Sequence, residues 1–402
     1  MLDMDDIYFN SALNISATEG STDGLILERN LHRTNPCRVT VKGTDDHLEV
    51  SLEAFSERCF LGPSDGPLFQ RGWVFQERYL ALRVVHFTKD QMASAQSGLL
   101  SRTPRHYPRN NQTKENQWYE LLYEYSRTSL TYGDDRLLAV SAIAKRYCSH
   151  MGLDPTDYLA GMWKTDLPVS LLWYETSGNS TSLAPMMDSE SKSAVAPSWS
   201  WASLLTRIEY SNQIIDDELV VHTEVLQTSI DRRSPNYFDG ATSCRLRLRG
   251  PLCKVHRRVI DGQPELRVLN DKKITEIVLK ESYDGVSIPD GSEYIFVTWD
   301  TSRKAVIQYL NDNDAHDSKV VEFVLLRITS QAIGDTMYAR GIVLHRTAIH
   351  GTFMRVGYFY FQLQSGDSTS GLENAFNGVY QSLDAEDYLE IHAESQYTLD
   401  VI

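Results

Sequence analysis

The sequence lacks the features that mark membrane, secreted and disulfide-linked proteins. No apolar run is long enough to span a bilayer, and the first ten residues, MLDMDDIYFN, have no basic region. The chain has five cysteines, an odd number, and none are spaced as CxxC. This pattern argues against a disulfide framework and against a cysteine zinc site. We therefore expect a cytoplasmic protein.

The common catalytic signatures are also missing. The sequence contains no HExxH pair, no GxSxG elbow, no phosphate-binding glycine loop and no dinucleotide fingerprint. These absences remove the basis for predicting a metalloprotease, an α/β-hydrolase, a kinase or a Rossmann oxidoreductase. We expect neither a bound metal nor a resident cofactor.

The charge balance is acidic, with 39 Lys and Arg against 54 Asp and Glu, for a net charge of −15. Such a chain is repelled by nucleic-acid phosphates and by anionic membranes, so we expect neither as a partner. Hydrophobic residues make up 42% of the chain, which is enough to bury a core.

Hydrophobic periodicity divides the chain. Residues 71–82 are predicted as a helix, and residues 114–175 as a helical segment. Within that segment two apolar stripes fall at helical spacing: Trp118, Leu121, Leu122 and Tyr125, then Leu137, Val140, Ala144 and Tyr147. We expect Asp134 and Asp135 to cap the second of these helices and Gly152 to end it.

The C-terminal half has the period of β-strands. Cys244, Leu246 and Leu248 alternate with arginines, which predicts a half-buried strand ending at Gly250-Pro251. Further strands are expected at residues 294–299, 321–328, 341–345 and 353–362, and a short helix in the acidic tail from 384 to 394. Ser198-Trp199-Ser200-Trp201 is interpreted as a strand with both indoles on one face.

Four segments together resemble the fungal heterokaryon-incompatibility (HET) domain proteins. The signature that closes the family's domain is matched by Arg71, Trp73, Gln76, Glu77 and Arg78, followed by Arg83 and Phe87. The family's Met-x-x-Ile-Tyr helix is matched by the segment from Met4 to Tyr8. The other two segments are residues 135–173, similar to helices that follow the domain, and the Pro-Ser-Trp-Ser-Trp motif with Trp199 and Trp201.

The resemblance implies a fold and a division of the chain. The family's opening motifs have no counterpart here, so residues 1–100 are expected to form the C-terminal portion of a HET domain. HET domains have been likened to Toll/interleukin-1-receptor (TIR) domains, which implies a TIR-like α/β portion. The expected fold class is α+β: this portion, a helical segment at 110–185, and a β-rich region at 186–402.

Trp73 and Glu77 are the candidate catalytic residues that the resemblance implies. Enzymatic TIR domains cleave NAD with the glutamate of a Trp-x-x-x-Glu motif, and the string here has the same form. On a helix, positions i and i+4 share a face, so the indole is expected beside the carboxylate. A carboxylate can stabilise an oxocarbenium-like transition state. In the alternative interpretation, Glu77 pairs with Arg71, Arg78 or Arg83 while Trp73 belongs to the core.

The function implied by the resemblance is heterokaryon incompatibility, meaning non-self recognition and programmed cell death. NAD enters as the substrate of an intact HET domain, and the partner is a product of another incompatibility locus or a second copy of the chain. Two alternatives remain open: a non-catalytic interaction module and an inactive truncated paralogue. Trp199 and Trp201 are interpreted as core residues and not as a ligand platform. The arginine stripe (Arg245, Arg247, Arg249) is interpreted as a solvated or internally paired face and not as a site that grips an acidic partner.

Overall fold

In the computed structural model the chain folds into two compact units. One comprises Met1–Tyr107 with Arg127–Thr131, and the other Pro108–Ser126 with Tyr132–Ile402. The structure describes residues 4–18, 35–40, 47–52, 66–87, 92–96, 114–176, 196–210, 219–232, 234–260, 263–268, 275–276, 278–280, 294–300, 321–364, 371–377, 385–392 and 395–402. The expected linker at 188–196 lies outside these residues except for Ala196.

The first unit combines two helices with five strands in its described part. In chain order these are α1 (Met4–Phe9), β1 (Asn14–Ala17), β2 (Asn35–Thr40), β3 (His47–Leu52), α2 (Gly72–Leu80), β4 (Arg83–Phe87) and β5 (Met92–Gln96). Strands β1, β4 and β5 form one sheet, in which β1 and β4 are parallel, and β2 and β3 form an antiparallel pair. The helix predicted at 71–82 is confirmed.

The parallel pairing in this unit brings two distant segments together. In register, Asn14 lies opposite Val84 and Ala17 opposite Phe87. Each strand follows a helix by a few residues, α1 before β1 and α2 before β4. Because the strands run in the same direction, both helices arrive at the same end of the sheet, where α1 contacts α2.

The second unit begins with two helices, α3 (Lys114–Ser126) and α4 (Leu138–Met151). Both predicted apolar stripes are buried, and Gly152 ends α4 in a left-handed conformation with φ 67°, as expected. The predicted cap at Asp134 and Asp135 is wrong. These residues lie in a 3-10 turn, and α4 starts only at Leu138, because Arg136 between them is buried with its guanidinium 5.1 Å from the Trp201 ring centroid.

Helical structure does not continue to residue 175. After α4 come short strands: β6 (Tyr158–Leu159), β7 (Met162–Trp163), β8 (Trp173–Glu175) and β9 (Ile208–Tyr210). The expectation of a helix over residues 158–163 is wrong, because Ala160 and Gly161 have positive φ angles of 49° and 95° and join β6 and β7 in a two-residue hairpin turn.

A large sheet forms the rest of the second unit and confirms the predicted β-rich region. Its strands are β10 (Val220–Val221), β11 (Glu224–Arg232), β12 (Ala241–Ile260), β13 (Gln263–Val268), β14 (Thr275–Glu276), β15 (Val278–Lys280), β16 (Tyr294–Trp299), β17 (Val321–Ile333), β18 (Thr336–Arg346), β19 (Thr352–Gln364), β20 (Glu390–His392) and β21 (Gln396–Val401). A short helix, α5 (Gly371–Phe376), follows β19.

Pairing within this sheet closes a ring of strands. The path β12–β17–β18–β19–β21 returns to β12, because β12 pairs with both β17 and β21. Closure satisfies both edges of these strands and encloses an apolar core. That core contains Val255, Phe323, Val343 and Phe359, all at most 2% exposed.

Two predictions for this region need correction. Strand β12 does not end at Gly250-Pro251, since both residues pair with β21 and the strand runs on to Ile260. Gly250 is required there because a Cβ would lie 2.5 Å from the Thr223 hydroxyl oxygen. The described residues of the acidic tail, 385–392, do not form an α-helix: a 3-10 turn at Ala385–Asp387 is followed by strand β20, which pairs with β21.

Candidate functional site

The candidate catalytic pair lies on α2 of the first unit. Trp73 and Glu77 are each half-buried, one helical turn apart, so they share a face of the helix. Burial raises the pKa of the Glu77 carboxyl, while a hydrogen bond from Tyr8 and the positive charge of Arg71 act in the opposite direction. Glu77 is thus a partly desolvated carboxylate with a hydroxyl donor and a cation close to it.

Tyr8 lies near the Glu77 carboxylate, and each of the two side chains affects the pKa of the other. Burial and then the charge of Glu77 raise the pKa of Tyr8 to about 12. The phenol therefore keeps its proton at physiological pH. The main chain of Glu77 is also tied to this segment, since Asn14 Nδ2 donates to the Glu77 carbonyl oxygen at 3.4 Å.

The arginines of the signature have different surroundings. Arg71 is exposed and acts on Glu77 through its charge. Arg78 is buried, with its guanidinium carbon 5.0 Å from the Phe69 ring centroid and 5.6 Å from that of Tyr79. Arg83 is exposed at the start of β4. Of the three expected ion-pair partners, Arg71 is the one whose charge acts on the Glu77 carboxyl.

The remaining signature residues of the first unit pack α2 and β4 against neighbouring segments. Gln76 is buried on α2. The carbonyl oxygen of Phe87 accepts two hydrogen bonds from Thr18, from its amide at 3.1 Å and its hydroxyl at 2.6 Å. Gly72 donates its amide to Ser129 O at 2.8 Å, and a Cβ at Gly72 would lie 2.5 Å from Leu130 Cδ2. The signature is therefore largely a packing motif around one accessible carboxylate.

Trp199 and Trp201 belong to the second unit and are both buried. They are not on a strand, because Ser200 caps a 3-10 turn at Trp201–Ser203 by accepting from the Ala202 amide. Ser200 Oγ donates to Ala160 O at 2.6 Å, and Trp201 Nε1 donates to Gly161 O at 2.9 Å. The Ser200 hydroxyl and the Trp201 indole both donate to carbonyl oxygens of the turn between β6 and β7, so the motif fastens this hairpin.

The same motif also joins the large sheet. The amide of Ser198 donates to Ile402 O at 3.1 Å, and its hydroxyl bonds the same carbonyl. Ser198 Oγ in turn accepts the Arg355 amide at 3.0 Å. The Trp173 indole donates to Trp199 O at 3.0 Å. The expectation that these tryptophans are core residues agrees with this network.

A buried ion pair in the second unit was not anticipated from the sequence. Arg355 and Asp300 both have fully buried side chains, with Nε and Oδ2 3.1 Å apart. Arg355 also donates to Leu171 O at 3.2 Å and to Trp173 O at 2.5 Å, and its guanidinium lies against the Trp173 ring. The available signal was a charged residue between apolar residues of a strand. Both charged groups are fully buried, and the guanidinium contacts Asp300 and two neighbouring carbonyl oxygens, so the pair serves packing and not ligand binding.

The arginine stripe on β12 is internally paired. Arg247 binds Asp400 through Nε at 2.8 Å and Nη2 at 3.0 Å, and Arg245 reaches the same carboxylate at 3.3 Å. Arg249 pairs with Glu224 across the β11–β12 ladder. Because three arginines meet two carboxylates, most of the positive charge of this face is paired internally and little of it is left to attract an acidic partner.

The described part of the chain forms neither a metal centre nor a membrane-spanning helix. No group of three or more His, Cys, Asp or Glu side chains there is placed to hold a metal ion. None of the helices in that part is both long and apolar enough to cross a membrane. Cys148, Cys244 and Cys253 are buried free thiols.

A comparison with known protein families finds a match to the first part of the chain. The model of the family described as heterokaryon incompatibility protein (HET) matches residues 1–77. No curated protein and no solved structure matches the chain. The resemblance inferred from the sequence is confirmed over those residues, which include both Tyr8 and Glu77. Arg83, Phe87 and the two-tryptophan motif lie beyond them.

Proposed function

We propose that this chain, whose residues 1–77 match the HET family, acts in heterokaryon incompatibility, as a cytoplasmic factor of non-self recognition that triggers cell death. The observation that carries the proposal is the association of two motifs within those residues: α1, which holds Tyr8, contacts α2, which holds Glu77, and Asn14 Nδ2 donates to the Glu77 carbonyl oxygen at 3.4 Å. The motifs are separated widely in sequence, yet the fold brings them together at one partly buried acid.

The chemistry proposed for this acid is hydrolysis of NAD at the nicotinamide–ribose bond. The bond between ribose C1′ and the nicotinamide nitrogen breaks, the bonding electron pair leaves with nicotinamide, and water adds to C1′ and releases a proton. The Glu77 carboxylate stabilises the positive charge that develops on the ribose, and Trp73 supplies an apolar wall that limits screening by water. The partial burial of Glu77 supports this role, because desolvation strengthens its electrostatic effect.

This mechanism has a definite pH dependence. Glu77 must be ionised to stabilise a cation, and burial raises its pKa above the ordinary glutamate value. Turnover is therefore expected to rise with pH through the pKa of Glu77 and to be lost as the carboxylate is protonated. An acid-limb pKa equal to that of a free glutamate would contradict the assignment.

The test is consumption of NAD by the purified full chain and by Glu77→Gln, which preserves shape and removes the charge. Glu390→Gln is the matched control, since Glu390 has a 66% exposed side chain in the second unit. Loss of one preorganised electrostatic group lowers turnover by about 10²–10³-fold. Equal rates in the wild-type and Glu77→Gln proteins would overturn the proposed chemistry.

A non-catalytic interaction module is the second candidate, and the β-rich unit favours it. This unit lies outside the matched residues, and its Arg355, Trp199 and Trp201 network holds a rigid closed sheet. Its partner would be a protein of another incompatibility locus or a second copy of the chain. In a fungal cell-death assay, a scaffold keeps its toxicity in Glu77→Gln and loses it in Arg355→Met. An enzyme loses it in Glu77→Gln.

A further inference from the structure

A serine and a histidine meet on β17, a strand of the closed ring in the second unit. His222 Nε2 and Ser330 Oγ are 2.6 Å apart. Ser330 lies on β17 between β10 and β18, where Val220 and Ala339 are its partners in register. His222 follows directly after β10, and its amide donates to Ile328 O at 2.8 Å. Main-chain contacts therefore hold both members of this hydrogen-bonded pair.

The pair lies where the interior of the sheet meets solvent. Ser330 and Ala339 are opposite each other in register, so they share a face, and Ala339 belongs to the apolar core. Ser330 is 7% exposed, whereas Val220 on its other side is 52% exposed. The mouth of a closed sheet is a common position for a ligand site.

A buried ion pair acts on the histidine. Arg327 Nη1 donates to both carboxylate oxygens of Glu373 on α5, at 2.8 and 2.7 Å, and the Arg327 side chain is only 7% exposed. Burial and then the charge of Arg327 lower the pKa of His222 to about 4, while the charge of Glu373 acts in the opposite direction. The ring is therefore neutral at physiological pH, and one of its nitrogens can accept a proton.

We propose that Ser330 and His222 form a nucleophile and its base for acyl transfer, with esters of short carboxylic acids as substrates. His222 Nε2 takes the hydroxyl proton as Ser330 Oγ bonds to the carbonyl carbon of the ester. The bond from this carbon to the leaving oxygen then breaks, and the leaving alcohol or phenol departs with that proton. Water attacks the acyl-serine, which releases the carboxylic acid and restores the hydroxyl.

The ion pair beside His222 supplies charges that this reaction needs. The oxyanion of the tetrahedral intermediate requires a donor, and Arg327 has a buried Nε that bonds no residue in the described part of the chain. The negative charge of Glu373 favours the imidazolium that forms when Ser330 loses its proton. Both developing charges therefore have a counterpart in this neighbourhood.

The surroundings restrict the substrate to small, reactive esters. The core beside this pair is filled by stacked rings: Phe359, Phe361 and Phe376. Phe376 also lies 5.3 Å from the Arg327 guanidinium, measured to the ring centroid. The acyl group must therefore be short. A base with a pKa of about 4 removes a hydroxyl proton slowly, so the leaving group has to be a phenol and not an alkyl alcohol.

The test uses the full chain and p-nitrophenyl acetate, with release of p-nitrophenol and the mass of tryptic peptides as readouts. The wild-type protein should turn the ester over with saturation kinetics and carry an acetyl group on Ser330. Ser330→Ala should lose both, and His222→Gln should lower the rate of acetylation about 10²-fold. Ser229→Ala and His350→Gln are the matched controls, because both residues are exposed in the same unit, and they should leave the rate unchanged.

Two further measurements decide the result if Ser330→Ala fails to fold. Ser330→Cys keeps a nucleophile, so position 330 should still be acetylated in that variant. In the wild-type protein, acetylation should fall only as His222 is protonated, near pH 4. Equal rates in folded Ser330→Ala and wild type, or no acetyl group at position 330 in either wild type or Ser330→Cys, would overturn the proposal. So would an acid limb at the free-histidine value of about 6.5.

Discussion

Replacing Arg355 by methionine tests what holds the second unit together. Methionine keeps the unbranched apolar stem and removes the guanidinium. The lost group bonds the carbonyl oxygens of Leu171 and Trp173, pairs with Asp300, and lies on the Trp173 ring. These contacts join β19 to the segment that precedes β8 and to the end of β16. The substitution therefore breaks three connections with one change.

The expected loss follows from the groups left behind. Two buried carbonyl oxygens lose their donors, at about 1–3 kcal/mol each. Asp300 loses its cation, but burial already raises its pKa to about 7, so it can take up a proton instead of remaining an unpaired charge. This limits the total, and we expect the free energy of unfolding to fall by about 4 kcal/mol, within the usual range for a broken buried pair.

Urea unfolding followed by tryptophan fluorescence is the assay. Trp173 is fully buried beside the guanidinium, so its emission reports on this unit. The control is Arg207→Met, since Arg207 is exposed in the same unit. Free energies come from linear extrapolation, with the slope checked for equality. A loss within about 1 kcal/mol of the control would refute the reasoning, since it would mean that the carbonyls find other donors.

Three further changes probe other features. Burial raises the pKa of Asp300 to about 7, so the folded state binds a proton that the unfolded chain releases near pH 4. The free energy of unfolding should therefore fall as pH rises from about 4 to 7. Urea titrations across this range should show that fall in the wild-type protein and not in Asp300→Asn. Gly161→Ala places a Cβ 2.6 Å from the Trp201 indole nitrogen at a residue with φ 95°. The free energy of unfolding in urea should fall by about 3 kcal/mol, and an unchanged value would mean that the turn can rearrange. Arg247→Ala removes a partly exposed side chain that makes two hydrogen bonds to the buried Asp400, which retains Arg245. The free energy of unfolding should fall by about 1–3 kcal/mol in thermal unfolding, and a larger loss would show that Asp400 depends on this one partner.

Periodicity predicted those elements whose packing is decided locally. The stripes of α3 and α4 are buried as expected. Four apolar residues on one face of a helix are stable only when that face packs against the core. The alternation along β12 likewise separates buried Cys244, Leu246 and Leu248 from outward arginines. In these cases local pattern and tertiary environment agree.

The β6–β7 hairpin shows where the pattern fails. Residues 158–163 are almost all apolar and fully buried, so neither a period of two nor one of 3.6 can be read from them. The turn is fixed by distant groups, since the indoles of Trp118 and Trp201 both donate to Gly161 O, at 3.1 and 2.9 Å. A two-residue turn with a left-handed Ala160 cannot be inferred without those donors.

Only one of the two main residues of the candidate site could be predicted from the sequence, because the position of the other depends on strand direction. Glu77 could be singled out from its own helix, and partners were sought among the arginines beside it in the chain. Tyr8 lies near Glu77 only because β1 runs parallel to β4, which brings α1 to the end of the sheet where α2 lies. An antiparallel β1 would carry α1 to the opposite end and leave Glu77 without this hydroxyl. The two motifs of the matched residues therefore come together because β1 and β4 pair in parallel. The direction of a strand pairing cannot be read from a local sequence pattern.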